Sequence, residues 1–190
     1  PAELVRTVAL VVDSSTDKGM KHAPLLVDDL LDSFELEAQP FFEREKRNIE
    51  KTMEKMKKAA EEKRPEHEIL SMMEDLKRAL KNWDMVIKPI RTGMRARGLA
   101  HSASEQMGSS IRSLSIDMFN MHGLLKVSLE FNRTLRDVFR DVPGVLEHLE
   151  RDARDLFELE KVRNQQNIKK FFHFAFIAAG VLFYMYLFAN

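Results

Sequence analysis

Four groups of residues in this sequence have the types and spacing to do chemistry. In "PEHEILSMMEDL", His67 and Glu68 set an imidazole beside an acid at the start of a helix. Asp13, Ser15 and Asp17 alternate in "DSSTD", and Glu147, Glu150, Asp155 and Glu158 gather in "EHLERDARDLFELE"; both offer oxygen ligands for a cation. Lys88, Arg91, Arg95 and Arg97 fall in ten residues without an acid, a pattern that fits contact with a phosphate, a lipid headgroup or an acidic partner. The bland counterpart of this last group is a solvated loop between two helices.

Each group is weakened by what surrounds it. Over about six residues His67 resembles the phospho-accepting box of sensor histidine kinases. Leu70 stands where that box has a basic residue, Met72 where it has proline, and no glycine-rich ATP-binding sequence follows. Asp13, Ser15 and Asp17 resemble the adhesion-site motif of von Willebrand A domains, yet an acid takes the place of the last serine and no later strands are predicted. No Glu-x-x-His occurs, and His148 lies one residue from Glu147 and two from Glu150, so no helical face collects a metal set. Neither Gly-x-Ser-x-Gly, Gly-x-Gly-x-x-Gly nor a P-loop sequence is present. The reading is therefore of a protein that is not an enzyme and has no cofactor, no metal and no catalytic residue.

The elements that would carry these residues are helices. In "LVRTVALVV", Leu4, Val8, Val11 and Val12 recur on one helical face despite the β-branched composition. From Pro24 onward stripes repeat at three- and four-residue steps: Leu26, Leu30, Phe34 and Ala38, then beyond Pro40 Phe42, Ile49, Met53, Met56 and Ala60. Pro65 breaks that run and suits the first turn of the next helix, whose stripe is Ile69, Met73, Leu76, Leu80, Trp83, Ile87 and Ile90. Pro89, Gly93 and Gly98 predict a loop over 88–97, and Ser102 with Glu105 has capping-box spacing for the helix after it. That helix carries Met107, Ile111, Leu114, Met118 and Leu125, with Gly123 as a weak point; Phe131, Leu135, Val138 and Val142 continue the stripe up to Pro143-Gly144, and from Asp141 a last helix starts with Leu146, Leu149, Ala153, Leu156 and Phe157 expected inward.

Its sequence runs without a breaker into "FFHFAFIAAGVLFYMYLFA", residues 171–189, where His173 is the single ionisable side chain. At about 1.5 Å per residue such a run can cross a hydrocarbon core of about 30 Å, and it lacks the polar face of a bundle helix. Lys161, Arg163, Lys169 and Lys170 precede it, and Tyr184 and Tyr186 suit the far interface. The expected fold is all-α: an antiparallel bundle of about four long helices with coiled-coil-like packing, then a single C-terminal transmembrane helix. The expected divisions are an N-terminal helical segment over 1–23, a cytoplasmic bundle over 24–168 and the anchor over 169–190. The basic flank predicts a single-pass, tail-anchored protein with its bundle on the cytoplasmic side.

Balanced charge, 30 basic residues against 30 acidic, argues against nucleic acid as a partner, and with no cysteine there is neither a disulfide frame nor a thiol nucleophile. The functional expectation is a membrane-anchored interaction or scaffold protein, bound to the bilayer through 171–189 and to a protein partner or a second copy of itself. Alternatives are a membrane-remodelling or pore-forming helical protein and a phosphotransfer component. Tail-anchored regulators of the Bcl-2 type have this size, but their Asn-Trp-Gly-Arg motif is only distantly echoed by "KNWDMV". SNAREs share the basic approach to a terminal span, and Pro143-Gly144 interrupts the heptad rod they need.

Overall fold

The computed structural model describes the backbone of residues 2–188 and the side chains of residues 3–165. All regular structure among them is helical: α1 (Ala2–Ser15), α2 (Leu25–Glu61), α3 (Glu66–Ala96), α4 (Ser102–Asn120), α5 (Leu125–Val138) and α6 (Pro143–Phe188). Two compact units divide the chain, residues 1–150 and residues 151–190. The first holds α1 to α5 and the opening two turns of α6; the second is the rest of α6. The all-helical expectation holds. Helix α1 packs on α2 and α3.

Two hairpins make the core. Gly93 near the end of α3 meets Leu31 near the start of α2, and Arg97 pairs with Asp28, so α3 returns antiparallel along α2. Ser115 of α4 and Ser128 of α5 exchange hydrogen bonds, the hydroxyl of Ser128 donating to the Ser115 carbonyl at 2.8 Å. Gly123, at φ +68°, makes the reversal between them that a side chain would strain. The predicted single long helix across this point is thus two, α4 and α5.

On α1 the expected Val8 and Val12 face inward and Leu4 is displaced, while on α2 the expected Phe34 and Ala38 face inward and the stripe is one residue off at Leu26 and Leu30. Val5, Val8 and Val12 are buried while Leu4 faces solvent, and Val27 and Leu31 take the inward places assigned to Leu26 and Leu30. Each helix offers two adjacent apolar rows, and only the partner surface selects between them.

Neither internal proline ends its helix. Pro40 in α2 and Pro89 in α3 each remove one intrahelical bond, freeing the carbonyls of Leu36 and Met85 four residues earlier. Leu36 and Met85 are both exposed residues. The loop predicted over 88–97 is instead the last turns of α3.

Helix α4 approaches the start of α6 at Gly108, where a Cβ would sit 2.8 Å from Cγ1 of Val145 and 3.0 Å from Cγ2. Alanine would gain about 1 kcal/mol of helix propensity, but valine is stiff at χ1 and cannot turn both methyls away. Overpacking costs about 1–3 kcal/mol. Gly108→Ala is expected to lower stability by about 1 kcal/mol net, measured by urea unfolding; a gain would mean that α6 yields there freely.

Candidate functional site

The four cations expected to face a partner are mostly engaged within the protein. Arg91 is buried, 5% exposed, on the inward side of α3. Its Nη2 donates to Asp84 Oδ1 at 2.8 Å and its Nε to Asp141 Oδ2 at 3.0 Å, while Asp141 Oδ1 lies 2.6 Å from Nη2. This is a side-on clamp between α3 and the turn that leads into α6. Arg97 donates to Asp28 Oδ1 at 3.0 Å and reaches Asp32 at 3.6 Å. Arg95 donates through Nη2 to the Lys18 carbonyl. Lys88 is half-buried, one turn from Asp84, whose carboxylate it helps to stabilise. The acids that the local sequence lacks come from other turns and other helices. Arg91, expected to contact a partner, is instead enclosed and paired.

Burial raises the Asp84 carboxyl above the usual carboxylate range, and the Arg91 charge offsets only part of that. Arg91 Nη1 has no acceptor among the described residues. Beside the clamp lies a half-open cavity of about 290 Å³, lined among others by Arg91, Arg95, His101, Glu105 and Asp141. Its cations and acids balance.

His101, rather than Ser102, caps α4. Its Nδ1 accepts from the Ser104 amide at 3.1 Å and lies 2.8 Å from the Ser104 hydroxyl. The imidazole does the work expected of the Ser102–Glu105 capping box. Burial first, and the Arg91 charge second, hold its pKa below the ordinary value. The unfolded chain therefore takes up a proton before the folded one, so stability falls as pH drops from about 6.5 through the lowered folded value. His101→Asn keeps a capping oxygen and cannot titrate; it is expected to flatten the stability profile below about pH 6.5. Chemical denaturation across that range checks it, and an unchanged slope would assign the effect elsewhere.

The remaining predicted residues separate clearly. His67 is exposed in the first turn of α3, and Asp13 and Ser15 lie at the C-terminal end of α1. Among the described residues no three His, Asp or Glu side chains gather as a metal set. Lys161 and Arg163 lie on α6; the side chains of Lys169, Lys170, Tyr184 and Tyr186 and of the whole apolar run 171–189 lie outside the described residues. Among the described residues, no helix is long and apolar enough to cross a membrane.

Two concave surfaces had no signal in the sequence, because each is assembled from three helices. One, of about 390 Å³, is almost wholly apolar; Leu4 and Val5 of α1, Phe34, Ala38 and Phe41 of α2, and Met85 and Val86 of α3 line it. The other, about 350 Å³, runs between α2 and α4 over α3. Trp83, Ile87, Phe42, Met53 and Met107 make its apolar part, and Glu35, Glu43, Lys46 and Glu50 stand along its α2 side. Helices α2 and α4 touch little, so α3 is left as the floor between them. The arrangement can hold an elongated amphipathic ligand; it presents no nucleophile paired with a base. Comparison of the chain with protein-family models, with curated proteins and with solved structures finds no match.

Proposed function

We propose that this is a membrane-anchored helical interaction protein: a bundle held at a bilayer surface by residues 171–189 and acting through contacts rather than turnover. The observation that carries the reading is the terminal run of nineteen residues whose only ionisable side chain is His173, preceded by Lys161, Arg163, Lys169 and Lys170. The inner cations of the bundle support it from the other side, since Arg91 and Arg97 serve to join helices and leave grooves as the features open to a ligand. Confinement to a surface raises the effective concentration of any partner in the same membrane, so shallow grooves suffice for contact.

Carbonate extraction of membranes from cells expressing the full chain, with protease protection, tests the reading. The expected result is resistance to extraction with the bundle open to protease on the cytoplasmic side. A chain lacking 171–189 should move to the soluble fraction. Release of the intact chain by carbonate would overturn it.

A second reading, membrane remodelling, is favoured by one exposed turn. Met20, between α1 and α2, and Leu25 and Leu26, in the first turn of α2, are each more than three-quarters exposed, with Lys18 and Lys21 nearby in sequence. Apolar tips flanked by lysine suit shallow insertion among anionic headgroups. Dye release from phosphatidylserine vesicles by the intact chain, abolished in a Met20→Ser, Leu25→Ser, Leu26→Ser variant, would select this reading over the first.

A further inference from the structure

We infer that the groove between α2 and α4 docks a basic amphipathic helix from a partner protein. The inference deepens the interaction reading above and rests on it for biological sense, though the groove can be tested alone.

The first argument is shape. Glu35, Gln39, Phe42, Glu43, Lys46, Glu50 and Met53 lie along α2. At about 1.5 Å per residue the fifteen steps from Glu35 to Glu50 cover about 22 Å, the length of a helix of about four turns. Ala103, Gln106, Met107 and Ser110 form the opposite wall at the one-turn spacing of a single α4 face. Between the walls the floor is Trp83 and Ile87 of α3. This is a helix-in-groove geometry, read by apolar anchors at three- and four-residue spacing.

Charge chooses the occupant. Three glutamates and one lysine line the groove, and the α4 wall carries no charge. Glu43 accepts only a hydrogen bond from the Gln39 amide at 3.3 Å, and among the described residues neither Glu35 nor Glu50 pairs with a cation. These carboxylates are exposed and each stands about two turns from the next, so a row of Lys or Arg on the visiting helix meets them while its apolar ridge seats on Phe42, Met53 and Met107. An acidic or neutral helix would gain the apolar contact and meet like charge or none. Ala103 and Ser110 are small, which leaves room for a backbone to come close on the α4 side.

Trp83 is the only tryptophan in the chain and lies in this floor, so its emission reports on the groove. The test titrates the full chain in detergent with a fifteen-residue leucine–lysine amphipathic peptide bearing one central nitrophenylalanine as quencher. Controls are a leucine–glutamate peptide of the same pattern and a scrambled leucine–lysine peptide. Saturable quenching by the patterned lysine peptide alone is expected. Binding should weaken about thirtyfold in Glu35→Lys, Glu43→Lys, Glu50→Lys, where attraction becomes repulsion, and be lost in Ala103→Phe, which fills the groove without altering charge. All four substituted positions are exposed, so the variants keep the fold, which circular dichroism verifies. Equal quenching by the glutamate peptide, or unaltered affinity in both variants, would overturn the groove assignment. A peptide that fails while carbonate extraction succeeds refutes the groove and leaves the membrane-anchored reading standing.

Discussion

Arg91→Ala is expected to lower the stability of the bundle by about 3 kcal/mol, the lower part of the range for breaking a buried ion pair by removing one partner. The whole stability of a domain is only about 5–15 kcal/mol, so this single change takes a large share of it. Two carboxylates, Asp84 and Asp141, share one guanidinium. Without it both stay largely enclosed and mutually repelling. Neither is wholly buried, with side chains about a quarter and a fifth exposed, so water recovers part of the loss and the lower figure is chosen. The effect should depend on pH with a definite sign. Without Arg91, burial first and the neighbouring Asp141 charge second are left to raise the Asp84 carboxyl in the folded state above its unfolded value. The penalty then develops as pH rises above about 4 and is relieved as pH falls below it. Urea unfolding followed by circular dichroism should show the variant losing most at pH 7 and less near pH 4. A constant loss across that range would mean that Arg91 contributes packing rather than charge.

The reason this role was hidden in the sequence lies in how breakers are read. Pro89, Gly93 and Gly98 within ten residues are ordinary loop signals, and four cations without a local acid look free. In the fold the proline costs one hydrogen bond whose carbonyl is at an exposed position, and Gly93 is where Leu31 lies so close that a Cβ would come within 2.2 Å of its Cδ1. Asp84 lies two turns before Arg91 on the same helical face and was in principle legible; Asp141, fifty residues on, was not. Strong local signals fared better. Pro65 separates α2 from α3, Pro143 opens α6, and Trp83 is buried on the stripe assigned to it. Where two neighbouring stripes were both apolar, as with Leu26–Leu30 and Val27–Leu31, periodicity had no means of choosing. His101 was missed because an imidazole caps a helix only when its surroundings keep it neutral, and that neutrality comes from burial and from Arg91.

The candidate surfaces divide in the same way. A terminal apolar run is a property of consecutive residues and is visible at once. The α2–α4 groove is a property of three helices, and its glutamates looked like the ordinary solvated face of a long amphipathic helix. Glu43 and Arg47 even have the i, i+4 order that suggests a local pair, yet among the described residues they make none. Glu43 is held instead by Gln39.

Phe139→Ala is expected to cost about 3–5 kcal/mol, the range for a fully enclosed phenylalanine, although the residue sits outside any helix. Phe139 follows the end of α5, is fully buried, and places its ring 6.1 Å from Trp83 at 46°. It is therefore the apolar half of the fastening whose polar half is Arg91 and Asp141. A single residue, Arg140, separates Phe139 from Asp141, and both hold the same short turn against α3. Once Phe139 is gone the turn can shift, and the carboxylate of Asp141 no longer depends on Arg91 for its position. The two losses should thus be less than additive: Phe139→Ala with Arg91→Ala is expected to cost about 1 kcal/mol less than the sum of the single variants, within the range for residues sharing a backbone shift. Full additivity would show that the aromatic and ionic contacts fasten the turn independently. Because Trp83 itself loses a neighbour in Phe139→Ala, its emission is a poor monitor of that variant, and far-ultraviolet circular dichroism is the measurement to use.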